Sequence, residues 1–262
     1  MKITVFTRNQ PRHLNYLRLL SGIADSVRAV IEVNTLFPGT VKDFYPNSPA
    51  MREYFSRVIK AEQDIFGPPS FLDSNVHTLP VLPGDINLFH RDDFREALDS
   101  DIFLVFGASW IRGWLAAELV AKKAINIHMG LSPYYRGSSC NFWALYDGKP
   151  EYVGATVHLL SEGLDSGPIL FHTRPKYSGQ DPFNFTMEAV QIVQAAIVQE
   201  IEAGTLISRK PVEQDSGMLV RYSKSGDFCE AVADSFMAQL PNSKDIYRLL
   251  ARKEIPLVLN RL

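Results

Sequence analysis

The sequence contains few cysteines and no long apolar run. Its two cysteines, Cys140 and Cys229, are so far apart that neither a disulfide framework nor a zinc site of the usual spacing is expected. No stretch approaches the roughly 20 apolar residues that a membrane-spanning helix needs. The N-terminus becomes polar at residues 7–10, too early for the apolar core of a signal peptide. These absences predict a soluble, cytoplasmic protein.

Charge of either sign is also not in excess. The 27 Lys and Arg residues nearly balance 29 Asp and Glu residues, giving a formal net charge of −2. This balance disfavours strong, sequence-independent binding to nucleic acid, although it leaves a local basic patch open. The length of 262 residues and the apolar content of 46% predict one large domain with a sizeable core, plus at most a small appendix.

Several common catalytic motifs are missing. The sequence has no G-x-G-x-x-G after its first predicted strand, no Walker loop, no G-x-S-x-G elbow and no H-E-x-x-H. Its histidines, at positions 13, 77, 90, 128, 158 and 172, show no helical pair spacing suited to a metal. Walker-type nucleotide hydrolysis, serine-hydrolase chemistry and zinc-protease chemistry are therefore disfavoured, and no metal is expected.

Short apolar runs alternate with segments of helical periodicity. The predicted strands are 3–6, 27–33, 76–81 (doubtful because of Pro80), 101–106, 124–128, 154–160 and 169–173. The predicted helices are 11–24, 49–66, 92–98, 111–119, 141–146, 182–203, 229–239 and 245–251. This alternation predicts an α/β fold with a mainly parallel sheet and helices on both faces.

A weak domain boundary is predicted near residue 205. Residues 1–205 carry the strand–helix alternation, whereas residues 206–262 begin with a polar, charged stretch and then contain two candidate helices. The second segment is either a small subdomain or an arm packed on the main sheet, and the sequence leaves both open.

Two polar residues lie on one face of the strand 124–128. Asn126 and His128 are two residues apart, so they point the same way at the carboxyl end of the strand, where open α/β sheets bind ligands. An amide beside an imidazole suits an oxygen that gains negative charge during acyl transfer. Asp165, between Gly163 and Gly167, is a third candidate. The alternatives are a buried, satisfied Asn–His pair and an ordinary turn aspartate.

Together these residues resemble the folate-dependent formyltransferases. The similarity covers, in order, Asn-Ile-His at 126–128, Ser-Pro-Tyr-Tyr-Arg-Gly at 132–137, Trp-Ala at 143–144, Gly-Ala-Thr-Val-His at 154–158 and Gly-Leu-Asp-Ser-Gly-Pro-Ile-Leu at 163–170. One departure is Gly130-Leu131-Ser132-Pro133, where many members have Ser-Leu-Leu-Pro. The resemblance implies a Rossmann-like catalytic domain over residues 1–205.

The resemblance also implies an activity. Members of this family transfer a formyl group from the cosubstrate N10-formyltetrahydrofolate to an amine. Carried onto this chain, Asn126, His128 and Asp165 are the catalytic residues. Asn126 and a protonated His128 would stabilise the oxyanion of the tetrahedral intermediate. Asp165 would either hold the charge of the imidazole or accept a proton through water.

The folate pocket is expected beside the fourth predicted strand. The resemblance implies that the backbone after this strand and the loop before Asp165 line it. The candidate cofactor-binding residues are Gly107, Ser109, Trp110, Ile111 and Gly163. A Trp110 that only fills the core is the alternative.

The segments before and after the formyltransferase-like motifs at 126–170 indicate which amine accepts the formyl group. The turn after the first strand lacks the glycine-rich phosphate loop of purine-biosynthetic relatives. Methionyl-tRNA relatives carry a longer C-terminal domain, and hydrolase relatives carry a preceding regulatory domain. These features favour the sugar-nucleotide N-formyltransferases, which formylate nucleotide-linked amino sugars for surface polysaccharides such as lipopolysaccharide. A methionyl-tRNA formyltransferase-like enzyme acting on another amine, or a formyltetrahydrofolate hydrolase, is the alternative.

Candidate acceptor-binding residues follow from that resemblance. Those in the first turn, where a helix N-terminus could meet a pyrophosphate, are Arg8, Asn9, Arg12 and His13. Those in the loop after the strand 124–128 are Ser132, Tyr134 and Arg136. Residues 37–45 either contact the base or form an ordinary loop. No nucleic-acid or membrane partner is expected, and the C-terminal segment is predicted to support a homodimer.

Overall fold

A seven-stranded sheet with helices on both faces organises the chain, and the computed structural model describes residues 1–40, 48–251 and 255–258. The strands are β1 Lys2–Arg8, β2 Ser26–Glu32, β3 Val76–Val81, β4 Ile102–Phe106, β5 Ile125–His128, β6 Tyr135–Gly137, β7 Ala155–Leu159, β8 Ile169–Thr173 and β9 Arg221–Ser223. The α-helices are α1 Pro11–Ser21, α2 Pro49–Phe66, α3 Arg95–Leu98, α4 Gly113–Ala121, α5 Cys140–Tyr146, α6 Pro182–Glu202, α7 Glu230–Ala238 and α8 Ser243–Leu250.

The strand order in the sheet is β3-β2-β1-β4-β5-β7-β8. Strands β1 to β5 are mutually parallel, and β7 and β8 are antiparallel to their neighbours. One apolar core covers each face of the sheet. The predicted mainly parallel α/β fold is therefore confirmed. The antiparallel end follows from the direct hairpin connection between β7 and β8, since a parallel pair would need a longer crossover.

Local signals begin the long helices as expected. Pro11 occupies the first turn of α1, and the Ser48 hydroxyl accepts a hydrogen bond from the Met51 N–H at the start of α2. The carboxylate of Asp181 likewise accepts hydrogen bonds from N–H groups in the first turn of α6.

The strand predicted with doubt at 76–81 is present as β3. Pro80 lies in it at the edge of the sheet, where a missing N–H is tolerated.

Several predicted helices have other bounds in the structure, and α1 ends at Ser21, three residues before its predicted end. The segment 92–98 forms a 3-10 turn, Arg91–Phe94, followed by the single turn of α3, and the helix expected from residue 111 begins at Gly113. Over the described ranges, no helix combines the length and apolarity needed to cross a bilayer.

The segment after residue 205 packs on the elements that precede it. Phe228 and Phe236 lie against Phe142 of α5, with ring centroids 4.9 Å away in both cases. Strand β9 pairs in parallel with β6, and this small second sheet was not predicted, because strands of three residues carry no periodic pattern.

Candidate active site

The register of β5 and β7 brings four polar side chains to one face of the sheet. Asn126 lies directly opposite His158, and His128 lies opposite Thr156, so side chains from the two strands meet across the pair. The loop between β7 and β8 then folds back so that Asp165 reaches the same face. Of the three residues singled out from the sequence, Asn126 and His128 thus both contact Asp165.

The carboxylate of Asp165 is the centre of this cluster. Its Oδ2 lies 3.2 Å from His128 Nδ1 and accepts the Gly137 N–H at 3.2 Å. Its Oδ1 accepts a hydrogen bond from Asn126 Nδ2 at 3.1 Å. Burial by itself raises the pKa of Asp165, but the charge and hydrogen bond of His128 outweigh it and lower the pKa to about 2. Asp165 is therefore ionised at neutral pH.

His128 is held in the protonated form. While Nδ1 faces Asp165, Nε2 donates to the carbonyl oxygen of Tyr135 at 3.0 Å, so both ring nitrogens have acceptors. Burial lowers the pKa of His128, whereas the Asp165 carboxylate and Cys140 raise it, and the net shift is well above the usual value. The site thus contains a buried imidazolium–carboxylate pair.

His158 orients the Asn126 amide, and sequence reasoning gave it no role. Its Nδ1 donates to the Leu159 carbonyl at 2.8 Å, which leaves Nε2 as an acceptor for Asn126 Nδ2 at 3.0 Å. Burial lowers the pKa of His158 to about 4, so the ring is neutral. Both N–H groups of Asn126 therefore face protein acceptors, and one must be exchanged before the amide can donate to a ligand. The strand register was the signal that could have revealed this.

The departure at residue 130 has a steric reason. A Cβ placed on Gly130 would lie 2.5 Å from Cys140 Cβ and 2.8 Å from His128 Nε2. Cys140 is buried and its Sγ points to the Gly137 carbonyl at 3.4 Å. In this chain Cys140 therefore occupies the space that a side chain at position 130 would need.

Some of the predicted folate-binding residues make structural contacts inside the protein, and others are exposed. Gly107 has a φ of +75°, and a Cβ there would lie 2.5 Å from the His13 ring, so this glycine allows close packing. Ser109 donates from its N–H and hydroxyl to the buried Glu32 carboxylate at 2.8 and 2.9 Å. Trp110 is 57% exposed, which argues against the core-filling alternative.

A cleft of about 250 Å³ lies beside these residues. It is lined by Ile111, Arg112, Gly113, Ala116 and Glu162. Gly113 and Ala116 belong to the first turn of α4, and Glu162 belongs to the loop that carries Asp165 and the exposed Gly163. The predicted pocket-lining segments therefore do face one another.

The first turn is occupied by structural contacts. The Arg12 guanidinium and backbone N–H both bind Glu62 Oε1, at 2.8 and 3.1 Å. Asn9 exchanges two hydrogen bonds with the backbone of Asn34. Arg8 Nε lies 3.7 Å from the carboxylate of Glu32, and its side chain is 33% exposed.

Three predicted acceptor residues are buried and have protein partners. His13 binds Thr7 Oγ1 at 2.9 Å, and burial, followed by the charges of Arg12 and Arg8, lowers its pKa well below the usual value. The Ser132 backbone N–H and carbonyl are both hydrogen-bonded inside the core.

The third, Tyr134, is 5% exposed and donates its hydroxyl to the Pro256 carbonyl at 2.9 Å. By contrast, Arg136 is half-buried next to the site and donates to the Leu164 carbonyl at 2.7 Å. Of the loop 37–45, residues 41–45 lie outside the described residues. Within the described ranges, no group of three or more metal-ligating side chains is arranged to hold a metal ion.

Comparison with known families supports the resemblance seen in the sequence. Residues 96–198 match the family described as Formyl transferase, a segment that includes Asn126, His128 and Asp165. The chain is 29% identical over 163 residues to the methionyl-tRNA formyltransferase of Synechococcus sp. (strain JA-3-3Ab). That alignment covers 58% of this chain and 48% of the relative, so the chain spans about half the length of the curated relative it matches.

Solved structures share the fold at low sequence identity. A sugar N-formyltransferase from Shewanella sp. FDAARGOS_354 has a TM-score of 0.53 at 17% identity, covering 87% of this chain and 78% of that one. An N-formyltransferase from Helicobacter canadensis, in complex with folinic acid and dTDP-3-aminofucose, has a TM-score of 0.51 at 12% identity, covering 91% and 80%. The predicted resemblance to formyltransferases is confirmed.

Proposed function

We propose that this chain, whose residues 96–198 match the formyl transferases, is an N-formyltransferase that acts on a nucleotide-linked amino sugar. The cosubstrate is N10-formyltetrahydrofolate, and the product is an N-formylated sugar for a surface polysaccharide such as lipopolysaccharide. The observation that carries the proposal is the buried imidazolium of His128, held between Asp165 and the Tyr135 carbonyl. Such a group can stabilise an oxygen that becomes negative when an amine attacks a formyl carbon.

Each of the three side chains has a distinct proposed role. His128 donates a proton or hydrogen bond to the formyl oxygen after its Nε2 releases the Tyr135 carbonyl, and Asn126 supplies a second N–H after releasing one of its present acceptors. With a pKa of about 2, Asp165 is too weak a base to hold a proton at neutral pH. We therefore assign Asp165 the role of counter-charge to His128 rather than that of a proton acceptor.

The accessible residues near the cleft fit the folate. The folate supplies the formyl group, and its flat ring system suits a cleft bordered by the apolar Ile111 with the exposed Trp110 next to it in sequence. Gly107, Ser109 and Gly163 shape the backbone of this region rather than offering free side chains. The cleft volume of about 250 Å³ is small for a whole folate, so the proposal places only part of the molecule there.

Acceptor binding is proposed for two arginines. Arg136 borders Asp165 through the Leu164 carbonyl, and Arg8 is partly exposed at the end of β1. Both are suited to phosphate oxygens. The sugar class is supported by two structural neighbours, a sugar N-formyltransferase and an N-formyltransferase in complex with dTDP-3-aminofucose.

A second candidate acceptor is initiator methionyl-tRNA. It is favoured by the sequence relatives, such as the Synechococcus enzyme, which are methionyl-tRNA formyltransferases. That candidate requires a basic surface for the tRNA, whereas the formal net charge of this chain is −2.

Incubation with N10-formyltetrahydrofolate and a panel of dTDP-, UDP- and GDP-linked amino sugars tests the proposal. Mass spectrometry is expected to detect a formylated sugar nucleotide, and a His128→Asn protein serves as the control. Formylation of charged initiator methionyl-tRNA without any sugar product would replace the proposal by the second candidate. Release of formate without an acceptor would identify a hydrolase.

A further inference from the structure

A segment after the long helix α6 runs along the loop that carries Asp165. We call residues 212–223 the clamp segment. At its start, Val212 forms a two-way backbone bridge with Ile169 at the beginning of β8, with N–O distances of 2.7 and 2.8 Å. Because this pairing is antiparallel, Gln214 lies opposite Gly167, two residues before Ile169. The clamp segment lies outside the residues that match the formyl transferase family.

Gln214 holds the backbone of the Asp165 loop. Its Nε2 donates to the Asp165 carbonyl at 3.0 Å and to the Gly167 carbonyl at 2.7 Å, so both amide hydrogens are used. The opposite amide orientation would place an oxygen against two carbonyls and is excluded. Gln214 Oε1 is buried and has no hydrogen-bond partner among the described residues.

The other end of the clamp segment supports the partner of the Asp165 carboxylate. Strand β9 pairs with β6, and Ser223 lies opposite Gly137, whose N–H donates to Asp165 Oδ2 at 3.2 Å. A Cβ on Gly137 would lie 2.0 Å from the Ser223 carbonyl oxygen, so the two backbones are in tight contact. Arg221 anchors β9 through a two-bond ion pair with Asp147 at 2.8 and 2.9 Å.

The backbone of Asp165 has an uncommon conformation. Its φ of +48° lies in the left-handed region, which few non-glycine residues adopt, although aspartate adopts it more readily than most. The clamp segment supports this conformation from two sides: Gln214 binds the Asp165 carbonyl, and β9 holds the Gly137 N–H against the Asp165 carboxylate.

We propose that Gln214 is a positioning residue that keeps the Asp165 carboxylate against His128 and so maintains the imidazolium. The inference rests on the proposed function for the role of His128 in turnover, but not for the geometry. Without the two Gln214 hydrogen bonds, the Asp165 peptide can relax towards a conformation with negative φ. The carboxylate then moves away from His128, and the stabilisation of the positive ring charge decreases.

Gln214→Met tests this proposal with little change of shape. Methionine removes both N–H donors and also the unpartnered oxygen, so the melting temperature is expected to change by only a few degrees. The pKa of His128, measured by ¹⁵N NMR on the protein without substrates, is expected to fall. With substrates, kcat is expected to decrease by about tenfold while KM for the folate stays within about twofold. Glu213→Gln, at the exposed neighbouring position, is the matched control.

The outcomes separate this inference from the proposed function. A folded Gln214→Met protein with an unchanged His128 pKa overturns the positioning role. A lowered His128 pKa in a protein that formylates no acceptor supports the positioning role and rejects the proposed function instead. If Gln214→Met and Gln214→Ala both fail to fold while the control folds, Gln214 serves the fold generally and the proposal is wrong.

Discussion

Two regions at the carboxyl edge of the sheet carry polar side chains, and they differ in what those side chains bind. At the end of β5, Asn126 and His128 both contact Asp165, and the three side chains form a charged cluster. In the turn after β1, Asn9 and Arg12 each bind a separate structural partner. Position at the ligand-binding edge therefore does not by itself identify a site. Convergence of several polar groups on one point distinguishes the first region from the second.

Substitutions in the cluster at the end of β5 test the difference between the two regions most directly. His128→Asn and Asp165→Asn are each expected to lower kcat by on the order of 10²-fold or more, because the charge that stabilises the formyl oxygen is lost or unsupported. Steady-state kinetics with the acceptor found in the panel measures the effect, and Glu213→Gln serves as a control. Asp165→Asn is also expected to shift the alkaline fall of kcat to lower pH, since Asp165 raises the pKa of His128. Near-normal turnover in both variants would contradict the catalytic role and show that these residues are structural.

Removing Arg12 is expected to affect stability rather than acceptor binding. Glu62 is buried, with 5% of its side chain exposed, so Arg12→Ala leaves a carboxylate without its cationic partner. The free energy of unfolding is expected to fall by about 2–3 kcal/mol, discounted because Arg12 is partly exposed. Urea denaturation measures this change.

Adding Glu62→Gln to Arg12→Ala is expected to recover most of the lost stability, because the buried charge is then removed as well. If Arg12→Ala instead raised KM for the sugar nucleotide at unchanged stability, the turn would be an acceptor site and the contrast between the two regions would fail.

The smallest expected effect is on how the free energy of unfolding depends on pH, and it involves one buried histidine from each region. Burial, followed by Arg12 and Arg8, lowers the pKa of His13, so the unfolded chain binds the proton first and stability falls as pH drops below about 6.5. The raised pKa of His128 acts oppositely, because its contribution is present below about 6.5 and is lost as pH rises through the folded pKa.

Unfolding free energies measured from pH 5 to 9 check this pair. His13→Gln is expected to flatten the acid side of the stability curve, and His128→Gln the alkaline side, each by on the order of 1 kcal/mol. A flattening of the same side in both variants would contradict the assigned protonation states.

Much of the candidate site could be predicted from the sequence. Asn126 and His128 lie two apart in a strand, so period two alone places them on one face. The contact with Asp165 was predicted only through the family resemblance, because 37 residues separate it from His128 along the chain. The burial of His13, Ser132 and Tyr134, which were predicted to bind the acceptor, was not foreseen, since a polar side chain near a strand end gives no sign of whether it is buried.

The sequence by itself determined the seven strands of the main sheet, the starts of the long helices and the parallel part of the sheet. Pro11, Ser48 and Asp181 act within one helical turn, and their effect does not depend on the rest of the chain. Only the tertiary structure decided that His158 faces Asn126, that Glu62 neutralises Arg12 and that Gln214 binds the Asp165 loop. Each of these contacts joins residues from separate elements, and a single hydrogen bond across 49 residues leaves no pattern in the local sequence.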